Sequence, residues 1–247
     1  MQQPEPRYRY GSIAPVRPER AGDNAATRER LLPPDVVQVS TGVGITDYTP
    51  EGVDEAINNR YWGCVDDLAQ RGAQSVHLGG VPISSQLGRP RALRLMEETQ
   101  QKTGLPADTA NEVIINALRR LGTTEVAVAS RWANQLNDAL IEYFAHAGIH
   151  VASITSEGQW AEQAFAMSIE KGVVLAFRLS REAMRKAPRA QALLLPGGTW
   201  RSLAAVPALE EDFDIPVVTN TTARVWQLIH QGYAPPVQGW GRLLERP

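Results

Sequence analysis

Two short apolar runs along the chain break on paired glycines in the same way: Ser75-Val-His-Leu-Gly-Gly80 and Ala192-Leu-Leu-Leu-Pro-Gly197-Gly198. Each predicts a buried parallel strand that stops in a tight turn. Similar apolar runs predict strands over 10–15, 35–41, 125–130, 149–154 and 215–219, with an extended stretch at 105–108. Helical spacing fills the intervals at 90–103, 110–121, 133–147, 170–187, 204–213 and 221–232. A further helix opens at Thr49-Pro50-Glu51, where Thr caps, Pro takes the first helical position and an acid sits in the first turn. Ile57, Tyr61, Cys64, Val65 and Leu68 share one face of it.

Strands alternating with helices predict an α/β protein built on parallel sheets. The doubled strand–Gly-Gly element predicts two pseudo-symmetric lobes, each a short parallel sheet flanked by helices. The expected organisation is a disordered arm over 1–8, a first lobe over 9–122 and a second over 123–220. Residues 221–247, a helix and an irregular tail, are expected to pack back on the first lobe. In open parallel sheets ligands sit beyond the carboxyl ends of the strands. The two glycine turns are therefore the expected walls of one site.

Composition narrows the partners. With 247 residues, 43% of them hydrophobic and 21% charged, the chain can build a sizeable core. A net charge of −2 gives no bulk attraction for nucleic acid. The early arginines (Arg7, Arg9, Arg17, Arg20, Arg28, Arg30) alternate with Glu5, Glu19, Asp23 and Glu29, which reads as a solvated arm. The one cysteine, Cys64, rules out an intrachain disulfide and any multi-cysteine metal site. No apolar run reaches the roughly 18 residues of a membrane span, and the first residues lack a secretory pattern. A cytoplasmic protein with no membrane partner is expected, and homo-oligomerisation is compatible with the chain.

Several residues bear chemistry. Gly42-x-Gly44 follows a strand but lacks the third glycine of a dinucleotide fingerprint, so it reads as a strand-end turn. Thr109-x-x-Glu112 fits a capping box, which explains Glu112 without catalysis; Asn111 and Glu112 nonetheless stand on the expected ligand side. His77 lies inside an apolar strand, either bonded to backbone in the core or acting as a base. His146, His150 and His230 read as element edges, and no HExxH-type metal spacing occurs. Cys64 sits mid-helix on an apolar stripe, the place of an inert thiol. Arg131 and Arg201 each follow a strand end beside a tryptophan, Trp132 and Trp200, where a guanidinium fork can grip a carboxylate.

The tags Tyr10-Gly-Ser-Ile-Ala-Pro15, Thr49-Pro-Glu-Gly52, Gly72-Ala-Gln-Ser-Val76, Thr103-Gly-Leu-Pro106, Ala117-Leu-Arg-Arg-Leu-Gly122 and Pro216-Val-Val218 occur in an order that resembles one family. It is that of the arylmalonate decarboxylases and maleate cis-trans isomerases, in the aspartate/glutamate racemase superfamily. The resemblance implies two α/β lobes with a site in the cleft between them, and chemistry without metal or organic cofactor. It implies a small acid held by backbone amides and hydroxyls, and one or two cysteines at strand ends. Here the first-lobe cysteine position falls on Gly80-Val81-Pro82, the second on Gly197, and a substrate-contacting tyrosine on Trp132.

Two-cysteine racemisation is therefore excluded, and an anion cradle is what remains. The expected binding residues are Pro15, Gly80, Val81, Pro82, Trp132, Gly197, Gly198, Thr199 and Arg201. The proton would come from His77, Asn111, Glu112 or an ordered water. The expected function is a cofactor-independent isomerase or decarboxylase/lyase acting next to a carboxylate of a small organic acid, without a cysteine nucleophile. The alternative is a catalytically silent relative that binds an acidic metabolite or a protein partner.

Overall fold

The computed structural model describes residues 5–16, 30–160, 167–198 and 200–245. Arg17, Arg20 and Arg28 of the expected arm, and Thr199 of the expected cradle, lie outside the described residues. By its contacts the chain divides into two compact units, Met1–Ala110 and Asn111–Pro247. The sequence reading draws that line at 122.

In the first unit, strands β1 (Tyr8–Ala14), β2 (Val36–Gly42), β3 (Ser75–Leu78) and β4 (Ala107–Thr109) form one sheet in the order β2-β1-β3-β4. All its pairings are parallel. Tyr8, expected in a disordered arm, is instead buried as the first residue of β1, paired with Val36. Its ring joins Tyr10 in alternation with Arg9, so the strand starts two residues earlier than its hydrophobic run suggests.

Helix α1 (Pro50–Gln70) begins as expected: the Gly52 amide donates to Thr49 Oγ1 at 3.2 Å. Asp47 accepts from the Thr49 amide and hydroxyl, and these bonds hold its carboxyl below the usual range. The predicted stripe Ile57, Tyr61, Cys64, Val65 and Leu68 is buried throughout. Beyond β3 come two helices, α2 (Val81–Leu87) and α3 (Arg89–Thr103), separated only by Gly88. Only α3 was expected. Gly80 carries no capping side chain, so apart from Pro82 in the first turn little in the local sequence announces α2.

A buried hydrogen bond ties α1 to α3. The Thr99 hydroxyl donates to the Leu95 carbonyl at 2.7 Å, so the Tyr61 hydroxyl must donate to Thr99 Oγ1, also at 2.7 Å. Burial pushes the Tyr61 phenol well above its ordinary pKa.

Helix α4 (Ala110–Arg120) follows β4 directly. The second unit repeats the pattern with β5 (Glu125–Ala129), β6 (His150–Thr155), β7 (Ala192–Leu195) and β8 (Val217–Thr219). These form a parallel sheet in the order β6-β5-β7-β8. Both sheets thus place their strands in the same sequence: second, first, third, fourth. After Glu125, the two central strands β5 and β7 are pure Ala, Val and Leu, as strands covered on both faces require.

The helices of this unit are α5 (Asn134–Ala145), α6 (Ile169–Lys186), α7 (Val206–Phe213), α8 (Asn220–His230) and the short α9 (Arg242–Glu245). Ser153 and Thr155 of β6 donate to carbonyls of α6, fixing that helix on the sheet. Glu210 of α7 accepts from the Val217 and Arg242 amides at 2.9 Å each, which joins β8 and the tail. Helix α8 packs on β8 and α9, and all three belong to the second unit. Among the described residues no helix is long and apolar enough to cross a membrane.

Replacing Tyr61 by Phe should cost about 1 kcal/mol of stability, the net worth of one buried neutral hydrogen bond. Urea unfolding with an unchanged m-value is the check; an unaltered midpoint would mean that the Tyr61–Thr99 bond does not couple α1 to α3.

Candidate active site

Each unit presents one glycine turn at the carboxyl end of its third strand. In the first unit the Gly79 amide still reaches the Ile13 carbonyl at 2.9 Å, extending the ladder past Leu78. Gly80 then adopts φ +92°, and a Cβ placed there would stand 2.8 Å from Pro15 Cγ and 3.1 Å from Ile83 Cδ1. Pro15 and Gly80 therefore abut, as the end of β1 meets the end of β3. The Ile45 amide donates to the Pro15 carbonyl at 2.7 Å, which brings the loop after β2 to the same place.

This turn offers few donors. Pro82 has no N–H, and the Ile83 and Ser84 amides turn back to the Gly80 carbonyl at 3.1 and 3.4 Å. Val81 and Pro82 are both buried.

His77 stands on β3 with Ser12 of β1 on one side and Asp108 of β4 on the other. Its Nδ1 is hydrogen-bonded to the Asp108 carboxylate, and the two side chains are 12% and 21% exposed. A carboxylate in that position fixes the ring's orientation and tautomer. Sequence reading passed over Asp108. The usable signal was that each residue stands next to the last position of its strand, on strands that became neighbours.

In the second unit, Ser130, Arg131 and Trp132 leave the end of β5 in a pinned conformation. The Ser130 amide donates to the Thr155 carbonyl at 2.8 Å and the Trp132 amide to Ser130 Oγ at 3.0 Å. Asn137 closes the loop: it accepts from Ser130 Oγ at 2.6 Å and donates to the Trp132 carbonyl at 2.9 Å. The Gln159 amide donates to the Arg131 carbonyl at 2.8 Å.

Trp132 packs against Gly197, whose φ is +111°; a Cβ on Gly197 would lie 3.0 Å from Trp132 Cζ2. The Gly197 amide donates to Asn220 Oδ1 at 2.7 Å, from the first residue of α8. Asn220 also escaped the sequence reading, although it too directly follows a strand end.

Arg131 is 1% exposed. Its Nη2 is 3.7 Å from the point where a Gly197 Cβ would stand, and its guanidinium carbon is 5.5 Å from the Trp200 ring centre. Burial lowers its pKa to about 10, which leaves it charged at neutral pH. Trp200 is held by its indole N–H, which donates to the Gly172 carbonyl at 2.9 Å. Arg201 lies apart from this cluster, against Gly172, and its charge adds to the hydrogen bonds that hold the Glu170 carboxyl low. Gly198 is exposed. Asn111 and Glu112 are buried in the first turn of α4.

The structure thus joins Pro15 with Gly80, and Trp132 with Gly197, Arg131 and Trp200, and gives His77 a carboxylate partner. Cys64 belongs to none of these groups. It sits mid-helix in α1, 7% exposed, and burial pushes its thiol above the ordinary range. Among the described residues no group of three or more His, Cys, Asp or Glu is placed to hold a metal ion.

The repeated 2-1-3-4 parallel sheet makes this an α/β protein with the fold of the solved arylmalonate decarboxylases. More narrowly, the chain belongs to the arylmalonate decarboxylase family, whose sequence profile matches residues 15–244. It is 30% identical over 239 residues to the arylmalonate decarboxylase of Bordetella bronchiseptica, covering 95% of this chain and 96% of that one. A liganded arylmalonate decarboxylase, solved as a Gly-to-Cys and Cys-to-Ser double mutant, superposes with a TM-score of 0.84. It shares 27% identity and covers 97% of this chain and 100% of its own. A maleate cis-trans isomerase from Nocardia farcinica, solved with a covalently bound succinylcysteine, shares the fold: TM-score 0.81 and 20% identity, with 97% and 99% of the chains covered. The family resemblance carried by the sequence tags is borne out.

Because its thiol is buried and its pKa raised, Cys64 should stay protonated and resist alkylation at pH 7.5. Iodoacetamide followed by mass spectrometry should find it unlabelled in native protein and labelled in urea. Rapid native labelling would contradict its placement in the core.

Proposed function

We propose that this protein is a cytoplasmic, cofactor-independent enzyme acting at the carbon next to a carboxylate of a small organic acid, as a decarboxylase or isomerase. The acid group is held at the Gly197-Gly198 turn, and no sulfur nucleophile takes part. One observation carries this reading: in a member of the arylmalonate decarboxylase family, the sole cysteine is buried in α1 rather than standing on a strand-end turn.

The chemistry suits such a turn. When a malonate-type diacid loses carbon dioxide, the electron pair of the broken C–C bond delocalises onto the remaining carboxylate as an enediolate. Fixed N–H donors stabilise that charge more than the ground state, which is what lowers the barrier. A proton then adds to the α-carbon, giving the monoacid. No covalent bond to sulfur is needed for this balance. We assign the proton to His77, with Asp108 orienting the ring, because an imidazole has one nitrogen to hold a carboxylate and another to give or take a proton. Asn111 does not titrate, which weakens its claim, and Glu112 is the remaining competitor.

A catalytically silent relative that binds an acidic metabolite is the second reading; glycine and tryptophan at the positions where the resemblance implies cysteine and tyrosine are what favour it.

The experiment is NMR in D2O with 13C-labelled phenylmalonate and with maleate. Conversion of phenylmalonate to α-deuterated phenylacetate, or of maleate to fumarate, is expected; thermal stabilisation by either acid without conversion would favour the silent binder. Gly198 gives the site-specific control, since a Cβ there meets nothing within 4 Å. Gly198→Val keeps its main-chain N–H but fills the space beside the turn, so it should fold normally yet displace the acid group and lose about 100-fold in turnover.

A further inference from the structure

Paired residues on neighbouring parallel strands stand about 4.8 Å apart and point to the same face of the sheet. In the first unit one such row crosses all four strands as Ser40, Ser12, His77 and Asp108. Counted back from the two glycine turns, the matching row of the second unit is Ile154, Val128, Leu194 and Val218. The repeated sheet therefore forms without polar groups at these positions, and enclosing them costs free energy that an apolar row avoids. The fold has no need of the polar row, which points to chemistry as the reason for it.

Three members of the row have the residue types and the spatial order of a nucleophile, a base and its orienting acid. Asp108 accepts from His77 Nδ1. A carboxylate can only accept, so Nδ1 carries the proton and Nε2 keeps the lone pair of a general base. With Nδ1 turned to β4, the opposite edge of the ring is turned to β1, where Ser12 stands. Gly79 locates both groups: the point where its Cβ would stand is 3.9 Å from His77 Cδ2 and 4.0 Å from Ser12 Oγ. Its missing side chain leaves room beside hydroxyl and ring alike. Ser12 is 9% exposed, and its hydroxyl makes no hydrogen bond among the described residues, so no structural role claims it. The link from serine to histidine in such sites commonly closes only around substrate. The Gly80 amide also has no partner among the described residues, which leaves it as a donor for an oxyanion.

We propose that Ser12, His77 and Asp108 form a nucleophilic triad and give the protein a second activity, hydrolysis of esters of small carboxylic acids. It goes beyond the acid chemistry at the Gly197–Gly198 turn and shares only His77 with it. Ser12 Oγ attacks the ester carbonyl carbon while His77 Nε2 takes the hydroxyl proton. The bond from the carbonyl carbon to the alcohol oxygen breaks, and His77 returns the proton to that oxygen. Water then attacks the acyl-serine in the same way, which releases the acid and restores the hydroxyl.

The test uses the full-length protein, a fluorophosphonate as the probe of serine nucleophilicity and p-nitrophenyl acetate as the ester. Mass spectrometry should find the fluorophosphonate on Ser12, and Ser12→Ala should lose both the label and the release of p-nitrophenol. His77→Ala and Asp108→Asn should slow labelling by about 100- to 10,000-fold, the range of general-base catalysis. An unlabelled Ser12 in the unaltered protein at millimolar probe overturns the proposal, and this outcome needs no variant to fold. Ester hydrolysis that survives Ser12→Ala overturns it too, as does labelling at an unchanged rate in both His77→Ala and Asp108→Asn. Turnover of phenylmalonate with Ser12 unlabelled refutes the triad and spares the acid chemistry. A labelled Ser12 without turnover of phenylmalonate or maleate supports the triad and refutes that chemistry.

Discussion

The third strand of each unit ends at a glycine whose backbone and surroundings disfavour any side chain, and the geometry of both turns depends on these two residues. Gly80 and Gly197 end the third strand of their units at φ +92° and +111°, where an L-residue is strained. A Cβ would also collide, with Pro15 in one unit and with Trp132 in the other. The strand must therefore stop, and its backbone must come up bare against a ring. Bare backbone at a strand's carboxyl end is what a small anion needs. The remaining layers serve to hold these turns: the alanine- and leucine-rich β7, the Asn220 acceptor for the Gly197 amide, and the Trp200 indole anchored on Gly172.

The turns are unequal. In the first unit Pro82 and the inward-turned amides of Ile83 and Ser84 leave few donors. In the second, a guanidinium has been drawn into the core beside the glycine. In the first unit the His77–Asp108 pair is a group chemically suited to moving a proton.

Most of the scaffold was legible in the sequence because it rests on periodicity. The α1 stripe from Ile57 to Leu68, the Thr49 cap and the repeated strand–Gly-Gly element are local patterns, and each is present as read. What escaped was what only tertiary pairing decides. Helix α2 has no capping residue and is seven residues long, so Val81-Pro82-Ile83 reads as loop. Asp108 becomes a partner of His77 only because β4 lies beside β3, and Asn220 reaches Gly197 only because β8 lies beside β7. Arg131 stands after a strand, but nothing in its neighbours' identities foretells its burial beside Trp200, which comes from a distant part of the chain.

The central proposal is that acid chemistry in this protein proceeds through main-chain donors, with sulfur playing no part. A cysteine-free protein, Cys64→Ala, tests it most directly, by following carbon dioxide release from 13C-labelled phenylmalonate alongside the unaltered chain. The account predicts the same rate per folded molecule in both. A rate that disappears with the thiol, in a variant whose unfolding midpoint shows it still folded, would contradict it.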